Sequence, residues 1–358
     1  MKPDPLLSND SQEDKLNFPD DEGKVKKAYS QNKGLPNIAS PHLQKLINET
    51  GGPSGPIGLQ FIANKDLEDK ELGFITNDPL IEEEHQVVPG LVYKYSGTKD
   101  GKIKGRALFT LTFKCASYCR FCTRGRIVGT DKPSLTTLEI NNVIKYIKSH
   151  PEINEIILSG GDPLASPPPI LRYALQELSK IKTLDIVRIG SRLPVHNPYA
   201  VTDQTIESIK QIKDPYIMVH INHPAELTDK TIEVLDRFRH ECMATVMSQS
   251  VFLAGVNDDF DTLYELFNKL AKIRVRPYYL FRCDPVPWAK HFTIPFEKEI
   301  EIVSKLKSVL SGTAATFKYI VDVPEGFGKL EVPINNWKWD PKAPYRDFKG
   351  QTHASPAL

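Results

Sequence analysis

The sequence predicts an α/β protein whose core is an incomplete (β/α)6 TIM-like barrel, preceded by an irregular N-terminal helical extension. Between residues 105 and 312, six short apolar runs rich in β-branched residues alternate with longer segments of helical period. The spacing of roughly 30 residues per unit suits right-handed βαβ crossovers. The sequence lacks a glycine-rich dinucleotide-binding fingerprint, which favours a barrel over a doubly wound sheet.

The predicted strands are the apolar runs at 107–113, 155–160, 186–191, 216–222, 244–252 and 275–281. Helices between them are predicted from apolar residues at positions i, i+3, i+4 and i+7, as in Ile140, Val143, Ile144 and Ile147. The same pattern covers Leu171–Leu178, and further helices are predicted near 202–212, 228–239, 261–272 and 296–310. Gly312 is predicted to end the last of these helices.

Composition divides the chain into four parts. Residues 1–39 are polar and without sustained period, which predicts a flexible leader. Residues 40–104 are expected to form an N-terminal subdomain, residues 105–312 the barrel, and residues 313–358 a C-terminal segment.

The composition also excludes several classes of protein. Among 358 residues, 46 are Lys or Arg and 45 are Asp or Glu, so nothing argues for a nucleic-acid partner. No stretch approaches the ~18 uncharged apolar residues of a membrane span, and the start MKPDPLLSND does not resemble a signal peptide. We therefore expect a cytoplasmic protein with neither a nucleic-acid nor a membrane partner.

Polar residues follow every predicted strand, where barrel enzymes carry their working side chains. The first strand is followed by KCASYCRFCTRGR, and the others end in or carry SGGDP, GSR, HINHP, SQS and RCD. Starts of loops are commonly polar, so one such end would mean little. Six together, one of them with three cysteines, favour a shared site.

The cysteines are the most specific signal. Cys115, Cys119 and Cys122 put three thiolates in a short loop, enough to ligate three irons of a [4Fe–4S] cluster and leave the fourth iron open. Three buried structural cysteines are disfavoured because neighbours such as Ser117 and Arg120 are not a core pattern. A structural zinc site normally adds a further C-x2-C or H-x3-H pair, which the sequence lacks, so zinc at these cysteines is disfavoured.

The CxxxCxxC spacing, with Phe121 before the last cysteine, resembles the signature of the radical S-adenosylmethionine (SAM) enzymes. Longer segments resemble the lysine 2,3-aminomutase family from about Val88 to Val332. They are VPGLVYKY, CRFCTRGR, LSGGDPL, RIGSRLPV, HINHPAELT, QSVFLAGVND, IRVRPYYLFRCD and GFGK. Chance does not explain blocks of this length.

The resemblance implies a cluster whose open iron chelates SAM. The SGGDP turn, with Gly160, Gly161 and Asp162, is then the expected cradle for the methionine part, the glycines permitting close backbone approach and Asp162 adding an acceptor. Arg192 is expected to contact the SAM carboxylate. His220 and Gln249 resemble positions facing the adenosine.

The resemblance also implies pyridoxal 5′-phosphate (PLP) as a second cofactor. Lys329 in GFGK matches the lysine that forms the imine with PLP. Lys94, Tyr95 and Arg106 match the phosphate-binding region. Two departures stand there: a lysine at 94 where arginine is common, and the insertion SGTKDGKIKG before Arg106.

Substrate choice is expected to rest on charge. Arg124 is expected to receive the substrate carboxylate as a two-pronged donor. Asp284 and Asp322 match the family carboxylates that receive the distal ammonium of lysine, which favours lysine over glutamate. The implied reaction begins when a 5′-deoxyadenosyl radical removes a hydrogen from the β-carbon of the lysine aldimine. The amino group then migrates through an azacyclopropyl radical to give β-lysine.

Other readings stay open. A related aminomutase acting on another amino acid, or supplying β-lysine for translation-factor modification, fits the same motifs. An iron–sulfur electron carrier or scaffold without substrate is the alternative of a different class, and the polar ends of the other strands argue against it. The resemblance implies an electron donor such as flavodoxin or ferredoxin, and it leaves a homo-oligomer open.

Overall fold

The fold is built on a ten-stranded sheet whose strands lie in chain order. The computed structural model describes residues 35–68, 78–98, 100–129, 134–323, 328–334, 345–346 and 351–353. The sheet strands are β1 Gln86–Val88, β2 Leu91–Tyr95, β3 Gly105–Thr112, β4 Ile153–Gly160, β5 Ile186–Ser191, β6 Tyr216–His220, β7 Thr245–Val251, β8 Arg276–Phe281, β9 Lys318–Val323 and β10 Gly328–Glu331. A separate pairing joins β11 Tyr345–Arg346 to β12 Thr352–His353.

Strands β3 to β9 are parallel, and antiparallel strands flank them on both sides. Within the described residues β10 pairs with β9 alone, so the curved sheet stays open. The predicted incomplete barrel is confirmed, and its six predicted strands correspond to β3–β8. The structure adds β9 as a seventh parallel strand. The sheet also includes β1 and β2, which precede the predicted boundary at 104/105, and β9 and β10, which follow the one at 312/313.

Amphipathic helices cover the outside of the parallel strands. The α-helices are α1 Pro41–Glu49, α2 Gly58–Phe61, α3 Lys65–Glu68, α4 Thr137–Ser149, α5 Pro168–Ser179, α6 Leu193–His196, α7 Asp203–Ile209, α8 Asp229–His240, α9 Phe260–Lys272 and α10 Phe296–Val309. In α9 the buried stripe is Leu263, Leu266, Phe267 and Leu270. Each such side chain contributes about 1.5–3 kcal/mol when fully buried, so these faces fix the helices on the sheet.

Side-chain caps define where the helices begin. Thr136 and Glu139 form a reciprocal capping box at α4, worth about 1 kcal/mol. Asp259 caps α9 in the same position. The predicted stop at Gly312 is wrong: α10 ends at Val309, and the extended residue Leu310 closes it by donating its N–H to Leu306. In the part of the chain that the structure describes, no helix is both long and apolar enough to span a membrane.

Candidate active site

A cavity of about 830 Å³ lies inside the open barrel. Alternate residues of neighbouring strands line it, such as Met218 and His220 of β6 and Met247 and Gln249 of β7, because every second side chain of a strand faces one side of the sheet. The predicted site residues that line it are Lys94, Tyr95, Arg106, Cys115, Cys119, Cys122, Arg124, Gly161, Asp162, Arg192, His220, Gln249, Asp284, Asp322 and Lys329. Gly160 is not among the lining residues.

The three loop cysteines lie between β3 and α4, and all are free thiols. Burial raises the pKa of Cys122 to about 11, and the neighbouring Cys119 adds to the shift. Burial likewise raises the pKa of Cys115, to which both other cysteines contribute. Thiolates so close together require bound positive charge.

These sulfurs fit a cluster better than a single ion. No group of three His, Cys, Asp or Glu side chains within the described ranges is arranged to hold one metal ion. In a [4Fe–4S] cluster each cysteine binds a different iron, so the sulfurs need not converge on one point. Cys115, Cys119 and Cys122 are the residues that would hold it.

The cysteine loop is fastened to the N-terminal segment by arginines. Arg120 pairs with Glu68, and these side chains are 4% and 11% exposed. Arg126 pairs with Asp78 at 2.9 Å, and these side chains are 13% and 18% exposed. Ion pairs at this depth are costly to break because a lone buried charge remains, so the segment before β1 holds the loop in place.

Arg192 does not offer its guanidinium freely to a SAM carboxylate, as we expected. Its Nη1 donates to Cys119 Sγ at 3.0 Å, and its Nη2 donates to Gln60 at 2.5 Å and to Glu226 at 3.2 Å. Its Nε alone lacks a partner among the described atoms. Arg192 is therefore directed at a cysteine sulfur and held there by buried groups that the sequence did not single out.

The Asp162 carboxylate is already engaged by donors of the protein, and its role toward SAM stays a prediction. Its carboxylate accepts from Ser191 Oγ at 2.8 Å and from the backbone N–H groups of Leu164, Arg192 and Leu193 at 2.7–3.0 Å. A carboxylate has about four acceptor positions, so these donors saturate it. Burial raises the pKa of Asp162, and the donors oppose that shift. Asp162 joins the end of β4 to the start of α6.

The two glycines before Asp162 face the protein itself. A Cβ on Gly161 would lie 2.2 Å from the carbonyl oxygen of Lys114, and one on Gly160 would lie 2.3 Å from that of Thr112. Gly160 also has a positive φ of 124°. Glycine is required at both positions because this turn approaches the neighbouring backbone closely. The cradle for the methionine part stays a prediction.

Arg124 gives its two-pronged face to Glu82 instead of leaving it for a substrate. Its Nε and Nη2 each donate to that carboxylate at 2.7 Å, while Nη1 donates to Ser159 Oγ at 2.9 Å and to the Gly160 carbonyl at 3.3 Å. Burial alone would raise the pKa of Glu82, but the charge and hydrogen bonds of Arg124, together with the charges of Arg126 and Lys94, outweigh it and the pKa is lowered. Of five N–H donors, one on Nη2 remains for a ligand.

His220 and Gln249 lie on adjacent strands, in register with each other. His220 Nε2 lies 3.0 Å from Asn222 Oδ1, and its ring centre is 5.5 Å from that of Phe121. Burial, reinforced by the positive charge of Arg192, holds the pKa of His220 well below its usual range. The neutral ring and the Gln249 amide form a polar, uncharged part of the wall.

An acidic pair and one lysine form another part of the wall. Lys329 Nζ donates to both carboxylate oxygens of Asp322, at 2.7 and 2.9 Å, and lies 4.4 Å from the centre of the Phe281 ring. Burial raises the pKa of Asp284 to about 7, and the charge of Asp322 adds to the shift while Lys329 opposes it. Lys94 also lies close enough to Asp322 for their charges to interact.

The predicted phosphate-binding residues meet around one aromatic ring. The Arg106 guanidinium lies 4.1 Å from the centre of the Tyr95 ring, and Lys94 Nζ lies 5.3 Å from it. Lys94 donates to the Leu80 carbonyl at 3.0 Å, whereas Arg106 has no carboxylate partner in the described chain. A Cβ on Gly328 would lie 3.7 Å from Tyr95, so the cations stand beside the Lys329 strand.

Sequence reasoning missed several residues that organise this site. Glu82 lies in the acidic run LIEEEH, to which the sequence predictions assign no role. Glu226 lies in the HINHPAE segment and is fully buried, and Gln60 and His196 carried no motif at all. The available signal for Glu226 was an acidic residue between the apolar residues Ala225 and Leu227, just after a predicted strand.

Comparisons with known proteins agree with the site. Residues 109–267 match the radical SAM superfamily. The chain is 35% identical over 303 residues to the L-lysine 2,3-aminomutase of Clostridium subterminale, covering 85% of this chain and 70% of that protein. For the L-lysine 2,3-aminomutase of Methanococcus maripaludis the identity is 35% over 322 residues, covering 88% and 71%.

A relative with another substrate in its name is nearly as similar. The glutamate 2,3-aminomutase of Clostridioides difficile is 33% identical over 278 residues, covering 76% of this chain and 65% of that protein. Identity of this size does not separate the two substrates, so the choice between them rests on the side chains of the cavity.

Proposed function

The chain belongs to the lysine 2,3-aminomutase family, and we propose that it moves the α-amino group of L-lysine to the β-carbon to give β-lysine. Membership makes it an isomerase of the radical SAM class, which uses a [4Fe–4S] cluster and SAM. The lysine 2,3-aminomutases also use PLP. Lysine as the substrate, and Lys329 as the residue that binds PLP, are parts of the proposal.

One observation carries the choice of lysine: an alkylammonium already lies on Asp322, beside Asp284, in the cavity that the three cysteines line. That ammonium belongs to Lys329 and is the same chemical group as the distal end of free lysine. If Lys329 Nζ held the PLP carbonyl carbon, it would no longer offset Asp322, and the repulsion between the two carboxylates would increase. A substrate ammonium restores the balance.

Glutamate as the substrate would increase the charge repulsion in this region. Its distal carboxylate would add a third negative charge beside Asp284 and Asp322, where burial already disfavours ionisation. Like-charge contact in a buried site costs several kcal/mol, on the order of 2–5. The acid pair thus supports a cationic substrate.

When bound, the cluster with SAM supplies a hydrogen-abstracting radical, and PLP supplies the delocalisation that stabilises a carbon-centred radical. The residues of this chain hold, orient and shield these groups. Lys329 would bind the PLP carbonyl carbon through Nζ, and Lys94, Tyr95 and Arg106 would receive the phosphate. Apolar residues of the wall, such as Met218 and Met247, would limit the water beside the reacting atoms.

Arg124 would meet the substrate carboxylate through its remaining Nη2 donor. Glu82 keeps the guanidinium in one orientation, because both of its oxygens are engaged at 2.7 Å. The donor is thus pointed before any ligand arrives, which reduces the ordering cost of binding.

The test is anaerobic reconstitution with iron, sulfide and PLP, followed by turnover with reductant, SAM and isotopically labelled amino acids. Lysine, glutamate, arginine and ornithine are compared at equal concentration, and products are identified by mass spectrometry. We expect labelled β-lysine as the main product. Equal or better rates with glutamate would reject the proposal.

Matched variants separate charge from folding. Asp322→Asn removes one carboxylate of the pair and is expected to weaken lysine turnover. Glu233→Gln removes a carboxylate that is 55% exposed and pairs with Lys230, and it is expected to leave turnover unchanged.

An electron carrier without substrate would bind the cluster but would fail to cleave SAM when reduced. Reduction by flavodoxin or ferredoxin remains a prediction that the same assay tests.

A further inference from the structure

His196 lies against the cysteine loop and has no part in the proposed rearrangement. It ends α6, directly after β5, and only 2% of its surface is exposed. Its Nε2 lies 3.8 Å from Cys119 Sγ, the sulfur that also accepts from Arg192 Nη1 at 3.0 Å. Hydrogen bonds to sulfur are long, so 3.8 Å is within contact for an N–H donor and a thiolate acceptor.

The position of His196 is fixed by contacts from the N-terminal segment. Its carbonyl accepts a hydrogen bond from Ser40, the N-cap of α1. Its ring meets the Phe61 ring edge to face, with centres 5.0 Å apart at 88°. The ring therefore has little freedom to turn away from Cys119.

The surroundings of the ring indicate which of its two nitrogens carries the proton. Nδ1 has no partner among the described atoms, while Nε2 faces the sulfur. The tautomer with its proton on Nε2 is the one that makes a hydrogen bond.

The three cysteines differ in this respect. Within the described residues, Cys119 has side-chain donors from both Arg192 and His196. Cys122 accepts from the backbone N–H of Arg124. The two side-chain donors thus distinguish Cys119 as a ligand position.

We propose that His196 donates an N–H···S hydrogen bond to the cluster ligand Cys119 and thereby raises the reduction potential of the cluster. Reduction adds one electron, and part of its charge resides on the thiolates, where a fixed donor stabilises it. The donor thus favours the reduced state, which is the state that cleaves SAM. The proposal depends on the cluster of the radical SAM class, whichever amino acid is rearranged.

The test compares two substitutions in the reconstituted holoenzyme. His196→Leu keeps the volume and removes the donor, and His196→Gln keeps an N–H near the position of Nε2. We expect the equilibrium constant for one-electron reduction to fall about tenfold in His196→Leu, a midpoint potential ~59 mV more negative. His196→Gln is expected to stay near the wild type. The potential is measured by anaerobic redox titration followed by electron paramagnetic resonance.

His150→Leu is the matched control, because His150 caps the end of α4 outside the cavity lining. Iron and sulfide contents and circular dichroism verify that each variant is folded and loaded. An unchanged potential in His196→Leu would overturn the proposal, as would an equal loss in both His196 variants. If His196→Leu does not fold, pulsed electron paramagnetic resonance of the wild-type enzyme labelled with 15N-histidine must detect a nitrogen coupled to the reduced cluster. Absence of that coupling would equally overturn it.

Discussion

The cysteine side and the acidic side of the cavity satisfy their charges in different ways. Around the cysteines, Asp162, Arg192 and Arg124 are each occupied by protein partners. At the other side, Asp284 has a pKa raised to about 7 by burial and by Asp322, while Lys329 and Lys94 both act on Asp322. The first side is built to hold its shape, whereas in the second the Asp284 carboxyl has no ion-pair partner among the described residues.

The largest expected effect tests the acidic side. Lys329→Met removes the proposed imine-forming nitrogen, and β-lysine formation is expected to fall about a thousandfold or more, since positioned covalent groups supply effective concentrations of that order. Borohydride reduction followed by peptide mapping should attach PLP to the segment carrying Lys329 in the wild type and to no site in the variant.

Lys318→Met is the control, because Lys318 pairs with Glu331 on the exposed part of the sheet. It should keep both turnover and the borohydride-stable adduct. Full activity in Lys329→Met would mean that the two sides of the cavity do not cooperate as described.

The second prediction tests the cysteine side. Asp162→Asn keeps the shape but replaces an acceptor oxygen by an amide donor, which then faces the N–H groups of Arg192 and Leu193. We expect the free energy of unfolding to fall by about 3 kcal/mol, measured by urea denaturation of the cluster-free protein. Asp229→Asn, at the exposed start of α8, should change it much less. A loss below about 0.5 kcal/mol would show that Asp162 is not the structural acceptor its contacts indicate.

The smallest expected effect concerns pH and the acidic side. Asp284 must be ionised to receive an ammonium, so the KM for lysine should decrease as the pH rises through about 7. Asp284→Asn should raise the KM about tenfold at alkaline pH and remove this dependence, with kcat less affected. Steady-state rates across the pH range measure both. An unchanged pH profile in the variant would assign the titration to another group.

Asp284→Asn and Asp162→Asn are expected to change the free energy of unfolding in opposite directions. A carboxyl whose pKa is raised in the folded state costs stability as the pH rises from its ordinary value of 3.8 to about 7. Asp284→Asn should therefore make the ligand-free protein more stable at and above neutral pH. Opposite signs for two buried aspartates in one cavity would confirm the contrast between its sides.

Local patterns sufficed to predict most of the barrel. The run at 186–191 coincides with β5, because a buried parallel strand must be a short apolar run between turns. The strand β9 was missed, since we assigned KYIVDV to a separate C-terminal segment and did not test it as a further sheet strand. Gly312 followed a common rule for helix ends, and Leu310 in an extended conformation ended the helix first.

Local patterns likewise identified candidate site residues but not the residues that contact them. Cysteine spacing and the GFGK segment are visible along the chain, so the residues themselves could be named. Their partners could not, because Arg124 and Glu82 are separated by 42 positions and Ser40 and His196 by 156. For Gly161 the residue type was informative, but the neighbour requiring it, the Lys114 carbonyl, lies on another loop.

The open sheet gives the bound cofactor a mechanical role. Tyr95 ends β2 on the N-terminal flank and Lys329 lies in β10 on the C-terminal flank, and no backbone ladder joins those flanks within the described chain. A molecule bound to both residues would link the two edges of the open sheet. Loading it should tighten the whole protein, raising the melting temperature and slowing amide exchange on both margins together.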